Sequence, residues 1–322
     1  MLVERPTIFP AGPRLDGQRV AHDTFQAGDV TAVIGDNEAH GDHRSGYNGV
    51  HSLTHRTEAT SLFVPTVAGL NLEHIMDGHR ELSDIGGART VFFEPRIAPM
   101  TFKKLSDTEA ELHQDPTPTF KVESRTRFAL VAPHYLDVQF RFTPTAGGFR
   151  HLWLGLFWAS YINAPEDKCM YFRGRDLWQQ HCTPAHNNQS TVVHRDDKVD
   201  LTFTAGSGDA LFKNFSPLTL DEPFFYGLFR QHVFILMFDR SEGIRLTHSP
   251  SGGGINRELQ TTNPAWDFQY ILPRFEVNQE YSFRARAVYR ERCSRADVLL
   301  EFRNWRKTLA VWREQHPGWE MA

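Results

Sequence analysis

The clearest windows along the chain alternate apolar and polar positions with period two. From Tyr135 to Phe142, Leu136, Val138, Phe140 and Phe142 alternate with Asp137, Gln139 and Arg141; from Tyr281 to Tyr289, Tyr281, Phe283, Ala285, Ala287 and Tyr289 alternate with Ser282, Arg284 and Arg286. Successive side chains of an extended chain point to opposite faces, so each window reads as a half-buried strand. Turn residues between windows predict hairpins. Met100–Leu105 meets Ala110–Gln114 across Ser106-Asp107, Phe128–Val131 meets Leu136 across Ala132-Pro133-His134, and Val233–Asp239 meets Gly243–His248 across Arg240-Ser241-Glu242. An antiparallel β protein follows.

Helical spacing is confined to two places. Arg175–Gln180 is a short candidate, and at the C-terminus Ser294 and Asp297 form a cap ahead of Val298, Phe302, Trp305, Leu309 and Trp312, spaced by threes and fours. A helix over about 294–315 is therefore predicted, with its aromatic stripe packed on sheet. Strands recur from about 30 to 290 without a linker, a composition shift or a repeat, which reads as one domain over 1–322. So many antiparallel strands with long polar loops suit a large two-sheet β-sandwich, whose concave faces are natural troughs.

Composition supports this class: 12% of residues are aromatic, with 25 Phe, and 23% are charged, which excludes disordered, collagenous and coiled-coil chains. Lys and Arg total 35 against 39 Asp and Glu, a net charge of −4, so the basic footprint of a nucleic-acid partner is missing. Met1–Val20 has no apolar core of a signal peptide, and no run approaches the roughly 20 apolar residues of a membrane helix. The 3 cysteines, Cys169, Cys182 and Cys293, lack metal-finger spacing and read as reduced thiols, which points to the cytoplasm. Oligomeric state is left open.

Chemistry concentrates in five segments. His40–Arg56 (HGDHRSGYNGVHSLTHR) carries His40, His43, His51 and His55 with Arg44, Arg56, Asp42, Tyr47 and Asn48. If it is extended, His51, Leu53 and His55 share a face. A hydrogen-bonded histidine cluster, a general acid/base or sugar-contacting pair, and a metal site are all open readings. Ala68–Gly78 places Asn71, Glu73 and His74 among apolar residues. Glu73 is either buried beside a cation such as Arg96 or poised for acid/base work, and on a regular strand His74 points away from it.

Gln179–Asp197, with His181, His186 and His194, reads as a polar loop capping one end of the sandwich. Leu246–Gly254 carries His248 and a triple glycine that no Gly-Lys-Ser/Thr follows, so it is not a phosphate loop; beyond it, Trp266 beside Asp267 offers an aromatic plate next to a carboxylate. Phe157–Tyr171 brings Trp158 and Tyr161 to a strand end, either as structural aromatics or as ring-stacking contacts. There is no nucleophile elbow, dinucleotide fingerprint or kinase signature.

Ala39-His40-Gly41 with Gly46-Tyr47, Ser160-Tyr161-Ile162-Asn163 and Trp266-Asp267-Phe268-Gln269 resemble the L-H-G-G…G-F/Y, H-x-Y-F-N and late-carboxylate motifs of the galactose-mutarotase-like (aldose epimerase-like) β-supersandwich superfamily. The fragments GYNGV, AGLNLEHI and FWASYINAP are also similar to a bacterial family without an assigned reaction. The superfamily resemblance implies a carbohydrate substrate, a histidine acting as general acid on the ring oxygen and Asp267 as the late base. The histidine of the second motif is missing, since Ala159-Ser160-Tyr161 occupies its place.

The expectation is therefore a carbohydrate-active enzyme working by acid/base chemistry on a sugar, epimerase- or isomerase-like. His51, His55, Glu73, His186 and Asp267 are its catalytic candidates. Tyr47, Asn48, Arg56, Trp158, Tyr161, His181, His248 and Trp266 are its substrate-binding candidates. The alternatives are a lyase or glycosidase on an oligosaccharide, or a non-catalytic sugar-binding sandwich. No cofactor is predicted; a divalent metal held by histidines is the alternative.

Overall fold

The computed structural model describes residues 20–79, 93–204 and 213–315, the last four as backbone alone. The Trp312 side chain and the N-terminal stretch through residue 19 lie outside the described residues. Three strands, β1 (His22–Ala27), β2 (Val30–Gly35) and β3 (Gly49–His55), form a small antiparallel sheet. Next come β4 (Asn71–Met76), the one-turn helix α1 (Glu94–Ile97), β5 (Thr101–Lys104), β6 (Glu109–Gln114), β7 (Val122–Val131), β8 (Tyr135–Pro144) and β9 (Leu154–Ala159). Then follow β10 (Met170–Gly174), β11 (Leu177–His181), β12 (Thr191–His194), β13 (Phe215–Leu220), β14 (Phe224–Phe229), β15 (His232–Phe238) and β16 (Ile244–Ser249). The chain ends with β17 (Ile255–Asn256), β18 (Thr261–Thr262), β19 (Ala265–Leu272), β20 (Tyr281–Glu291) and α2 (Arg295–Gln315).

Two large sheets make the sandwich: nine strands in the order β11-β10-β14-β15-β20-β8-β7-β6-β5, and six in the order β13-β12-β16-β19-β9-β4. The β12–β13 pair is parallel, an exception within the antiparallel fold. The main core fills the space between the sheets. Phe140, Phe238 and Phe283 from one sheet meet Trp158 and Phe268 from the other, with Trp158 edge-on to Phe140 at 4.8 Å and Phe238 edge-on to Phe268 at 4.7 Å. Such pairs add about 0.5–1.5 kcal/mol each beyond the area they bury.

The outer face of the larger sheet is covered by α2, whose Val298, Phe302, Trp305 and Leu309 pack on Phe224, Tyr226, Ile235, Met237 and Val288. Its start is a capping box: the Ser294 hydroxyl accepts the Asp297 N–H at 3.1 Å, and the Asp297 carboxylate accepts the Ser294 N–H at 3.0 Å. This cover explains why Tyr281–Tyr289 is buried on both faces rather than half-buried. Its polar position Arg286 is satisfied by a two-pronged bond to Asp137 directly across on β8, at 2.6 and 2.7 Å.

Three expectations are corrected. Val233–Asp239 and Gly243–His248 do not form a hairpin, because β15 pairs with β14 and β20 in one sheet while β16 pairs with β12 and β19 in the other. The Arg240–Glu242 connection is an arch between sheets: a strand buried on both faces, as β15 is throughout, carries no alternation to say which sheet it joins. Arg175–Gln180 is not helical but turns into β11, paired with β10 in register from Gly174↔Leu177 to Met170↔His181. Within Gln179–Asp197, Thr191–His194 is a strand of the smaller sheet, not loop.

Candidate active site

Alternation along β19 divides its residues. Trp266, Phe268 and Tyr270 enter the main core, so Asp267 and Gln269 face the other side of the smaller sheet, where Ile271, Phe157, Met76 and Tyr161 build a second apolar cluster under Tyr47 and Phe93. On β4 the register against β9 slips between Leu72, opposite Trp158, and His74, opposite Phe157, leaving Glu73 as the extra residue. Leu72 and Ile75 both reach the core. A bulge of this kind re-aims side chains, and here it brings Glu73 and His74 together on the outer face, where a regular strand would part them.

Glu73 is the hub. Its Oε1 accepts the Tyr161 hydroxyl at 2.6 Å and an Arg96 N–H at 3.0 Å, and its Oε2 lies 3.3 Å from His74 Nε2. Burial pushes the Glu73 carboxyl up, but His74, Arg96 and the Tyr161 hydroxyl outweigh it and hold its pKa below the ordinary value. Asp267 behaves oppositely. Burial, reinforced by the charge of Glu73 and offset in part by the Ser160 N–H donated to Oδ1 at 2.9 Å, raises its pKa well above the ordinary value. The Tyr161 hydroxyl is likewise pushed well up by burial and by the charge of Glu73, so it stays a proton donor to Glu73. A carboxyl whose pKa is held down and one whose pKa is pushed up thus share one buried face, linked electrostatically through a tyrosine.

Arg96 connects this hub to the surface. It sits on α1, where Glu94 accepts the backbone N–H groups of Thr119 and Phe120 at 2.6 and 2.9 Å. Its Nε donates to the Gly46 carbonyl at 2.6 Å, and its guanidinium lies 3.9 Å over the Tyr47 ring and 4.9 Å over Phe93. Above it opens a cavity of about 850 Å³ bounded by Asn37, Glu38, Ser45, Tyr47, Arg96 and Pro99 among others. Asn37 braces this wall by donating to the carbonyls of Arg96 and Ala98 at 3.1 and 2.8 Å.

Of the site residues expected from sequence, Glu73, Asp267, Tyr161 and Tyr47 assemble here; the others lie elsewhere. The β2–β3 register slips at His51, so Val50 and Leu53 fill the core and His51 leaves the face expected to hold both it and His55. His51 stacks on His43 at 3.6 Å and its Nδ1 is 2.7 Å from His40 Nε2. His55 instead meets His232, with Nδ1 and Nε2 3.1 Å apart, and Arg56 holds Asp29 at 2.9 Å on the surface. Asn48 is a structural clamp, exchanging bonds with the Leu72 carbonyl at 3.0 Å and N–H at 3.1 Å.

His181, His186 and His248 gather around the other end of β16. His248 Nε2 and Trp266 Nε1 both donate to the Lys168 carbonyl, at 2.8 and 2.9 Å; His181 is 3.2 Å from the Ser190 carbonyl, and exposed His186 bonds Ser249 at 2.8 Å. Trp158 and Trp266 are buried to within 1% between the sheets, so neither presents a stacking plate. Sequence reasoning missed His74 as a partner of Glu73 because only the bulge brings it round; Arg96 was signalled only as a possible counter-charge.

The fold is that of the galactose-mutarotase-like β-supersandwich. A structure described as a putative aldose 1-epimerase from Escherichia coli K12 superposes with a TM-score of 0.50 at 10% identity, over 84% of this chain and 99% of that one. A galactose mutarotase related enzyme from Lactobacillus acidophilus gives 0.48 at 11% identity, over 84% and 97%. A heparan sulfate lyase HepC mutant from Pedobacter heparinus gives 0.42 at 10% identity, over 86% of this chain and 36% of that one. No family model and no curated protein matches the sequence. Among the described residues no helix is long and apolar enough to cross a membrane.

Proposed function

We propose that the protein is a carbohydrate-active enzyme in which Asp267 serves as general acid and Glu73 as general base on a small sugar admitted through the cavity over Arg96 and Tyr47. The observation carrying this reading is a pair of buried carboxyls on one face whose surroundings drive their pKa values in opposite directions, Glu73 down and Asp267 up. Pairs of titratable groups driven apart by their surroundings divide acid and base roles. In an epimerase- or isomerase-like step, Asp267 gives a proton to a ring or leaving oxygen, and Glu73 accepts one from a hydroxyl, directly or by way of Tyr161. Arg96 and the Tyr47 ring, at the cavity floor, offer guanidinium N–H groups to hydroxyls and an apolar plate to a ring.

A specific observation favours a second reading. All three contacts of Glu73 are occupied within the protein, and the cavity is bounded by Arg96 rather than by Glu73. On that reading Glu73 pins Arg96 and the site binds sugar without turning it over. The two readings separate in one experiment, in which anomer exchange and product formation are followed by NMR for the wild type and the Asp267→Asn variant across mono- and disaccharides. Turnover lost in the variant supports catalysis; saturable binding without turnover in both supports the binding module.

A further inference from the structure

We propose that His40, His43 and His51 bind a single zinc-class divalent ion that fastens the cavity-lining loop 36–48 to the three-stranded sheet. Each contributes one ring nitrogen, and these three nitrogens lie within 4.8 Å of one another. Ligands spaced around a tetrahedral ion with metal–nitrogen distances of about 2.0–2.1 Å stand roughly 3.3–3.4 Å apart. His40 Nε2 and His51 Nδ1, now 2.7 Å apart, would separate slightly to admit the ion, within a set that spans no more than 4.8 Å. A set of imidazoles without a carboxylate suits zinc, copper or nickel and not magnesium or calcium.

The backbone is shaped around these rings. His51 stands at the register slip of β3, and a Cβ at Gly35 would fall 2.4 Å from its Cε1 and 2.7 Å from His22 Cβ, so glycine is what admits the imidazole there. Each buried ring also has a carbonyl that can hold its second nitrogen. His51 Nε2 is 3.2 Å from the Asp36 carbonyl and His43 Nε2 is 2.9 Å from that of Tyr47. Donation through Nε2 leaves the His51 Nδ1 as a lone pair, the outer-shell arrangement that orients metal-ligating histidines, while His43 Nδ1 lies 3.3 Å from the Pro65 carbonyl and must turn from it to reach an ion.

His40 is the ring with freedom to open the cluster, since it is half-buried on the loop. His22 stacks on it at 3.5 Å, and a water would complete the shell. Because the His43 N–H ends on the Tyr47 carbonyl, the ion would steady the aromatic floor under Arg96. The inference does not depend on the carbohydrate reading.

The test is zinc titration by calorimetry, with the bound metal quantified, on chelator-stripped protein lacking a histidine tag. Wild type, His40→Gln, His43→Gln and Cys182→Ser are compared, with magnesium as the control ion. The expected result is one zinc per chain for wild type and Cys182→Ser, affinity reduced on the order of a hundredfold in His40→Gln, and no magnesium uptake. His40 is half-buried on the loop where His43 is buried, so that variant is expected to fold even if His43→Gln does not, and circular dichroism checks both. Absence of saturable zinc uptake by the wild type, uptake unchanged in His40→Gln, or uptake lost in Cys182→Ser would each overturn the proposal.

Discussion

Replacing Asp267 by Asn removes the acidic proton while keeping the oxygen that accepts the Ser160 N–H. Burial raises the pKa of this carboxyl well above its ordinary value, so the folded chain keeps a proton that the unfolded chain releases at about pH 3.9. A raised carboxyl therefore contributes fully to stability below the unfolded value and costs stability as pH rises. The cost grows by about 1.4 kcal/mol for every pH unit until the folded group itself ionises. Asparagine does not titrate. Urea unfolding of both proteins at pH 4, 5, 6 and 7 should thus show variant and wild type of similar stability at pH 4, with the variant gaining as pH rises, by about 1.4 kcal/mol per unit up to the pH at which the folded Asp267 ionises. A variant that is less stable at neutral pH by a pH-independent amount would refute the protonated assignment of Asp267, and with it the acid role.

Other substitutions give separate tests. Glu73→Gln breaks the link to Arg96 and should cost up to about 3 kcal/mol, the lower end for a buried pair because the Arg96 side chain keeps 20% exposure. Since the folded Glu73 pKa is depressed, that cost should be full above pH ~4.3 and fade as pH falls through the folded value, as read by urea unfolding. Arg96→Met should abolish saturable sugar binding in calorimetry while the far-ultraviolet dichroism stays that of the wild type; undiminished binding would remove Arg96 from the site. Gly227→Ala would set a Cβ 2.2 Å from the buried Trp266 ring and should destabilise by about 1–3 kcal/mol in thermal unfolding.

Much of the architecture was legible because period two survives wherever one face meets solvent. The β5–β6 and β7–β8 hairpins, the capping box at Ser294 and the stripe of α2 all follow from local pattern. Where strands are buried on both faces, as β15 is, the pattern is silent on sheet assignment and the arch to β16 passed for a hairpin. Two register slips hid the geometry of the chemistry, one separating His51 from the face of His55 and one joining His74 to Glu73. Trp266 and Asp267 illustrate a third limit. As neighbours on a strand they must point to opposite faces, and the tryptophan goes to the core while only the carboxyl reaches the outer face. Glu73 beside Arg96 was legible because a carboxylate among apolar neighbours needs a counter-charge.

The central claim, acid/base turnover of a sugar by Asp267 and Glu73, is tested most directly by NMR of a panel of reducing sugars incubated with wild type, Asp267→Asn and Glu73→Gln. The account predicts accelerated anomer exchange or new sugar signals with the wild type, with either substitution lowering the rate by at least about a hundredfold. Equal rates in the wild type and in a folded Asp267→Asn variant would contradict it.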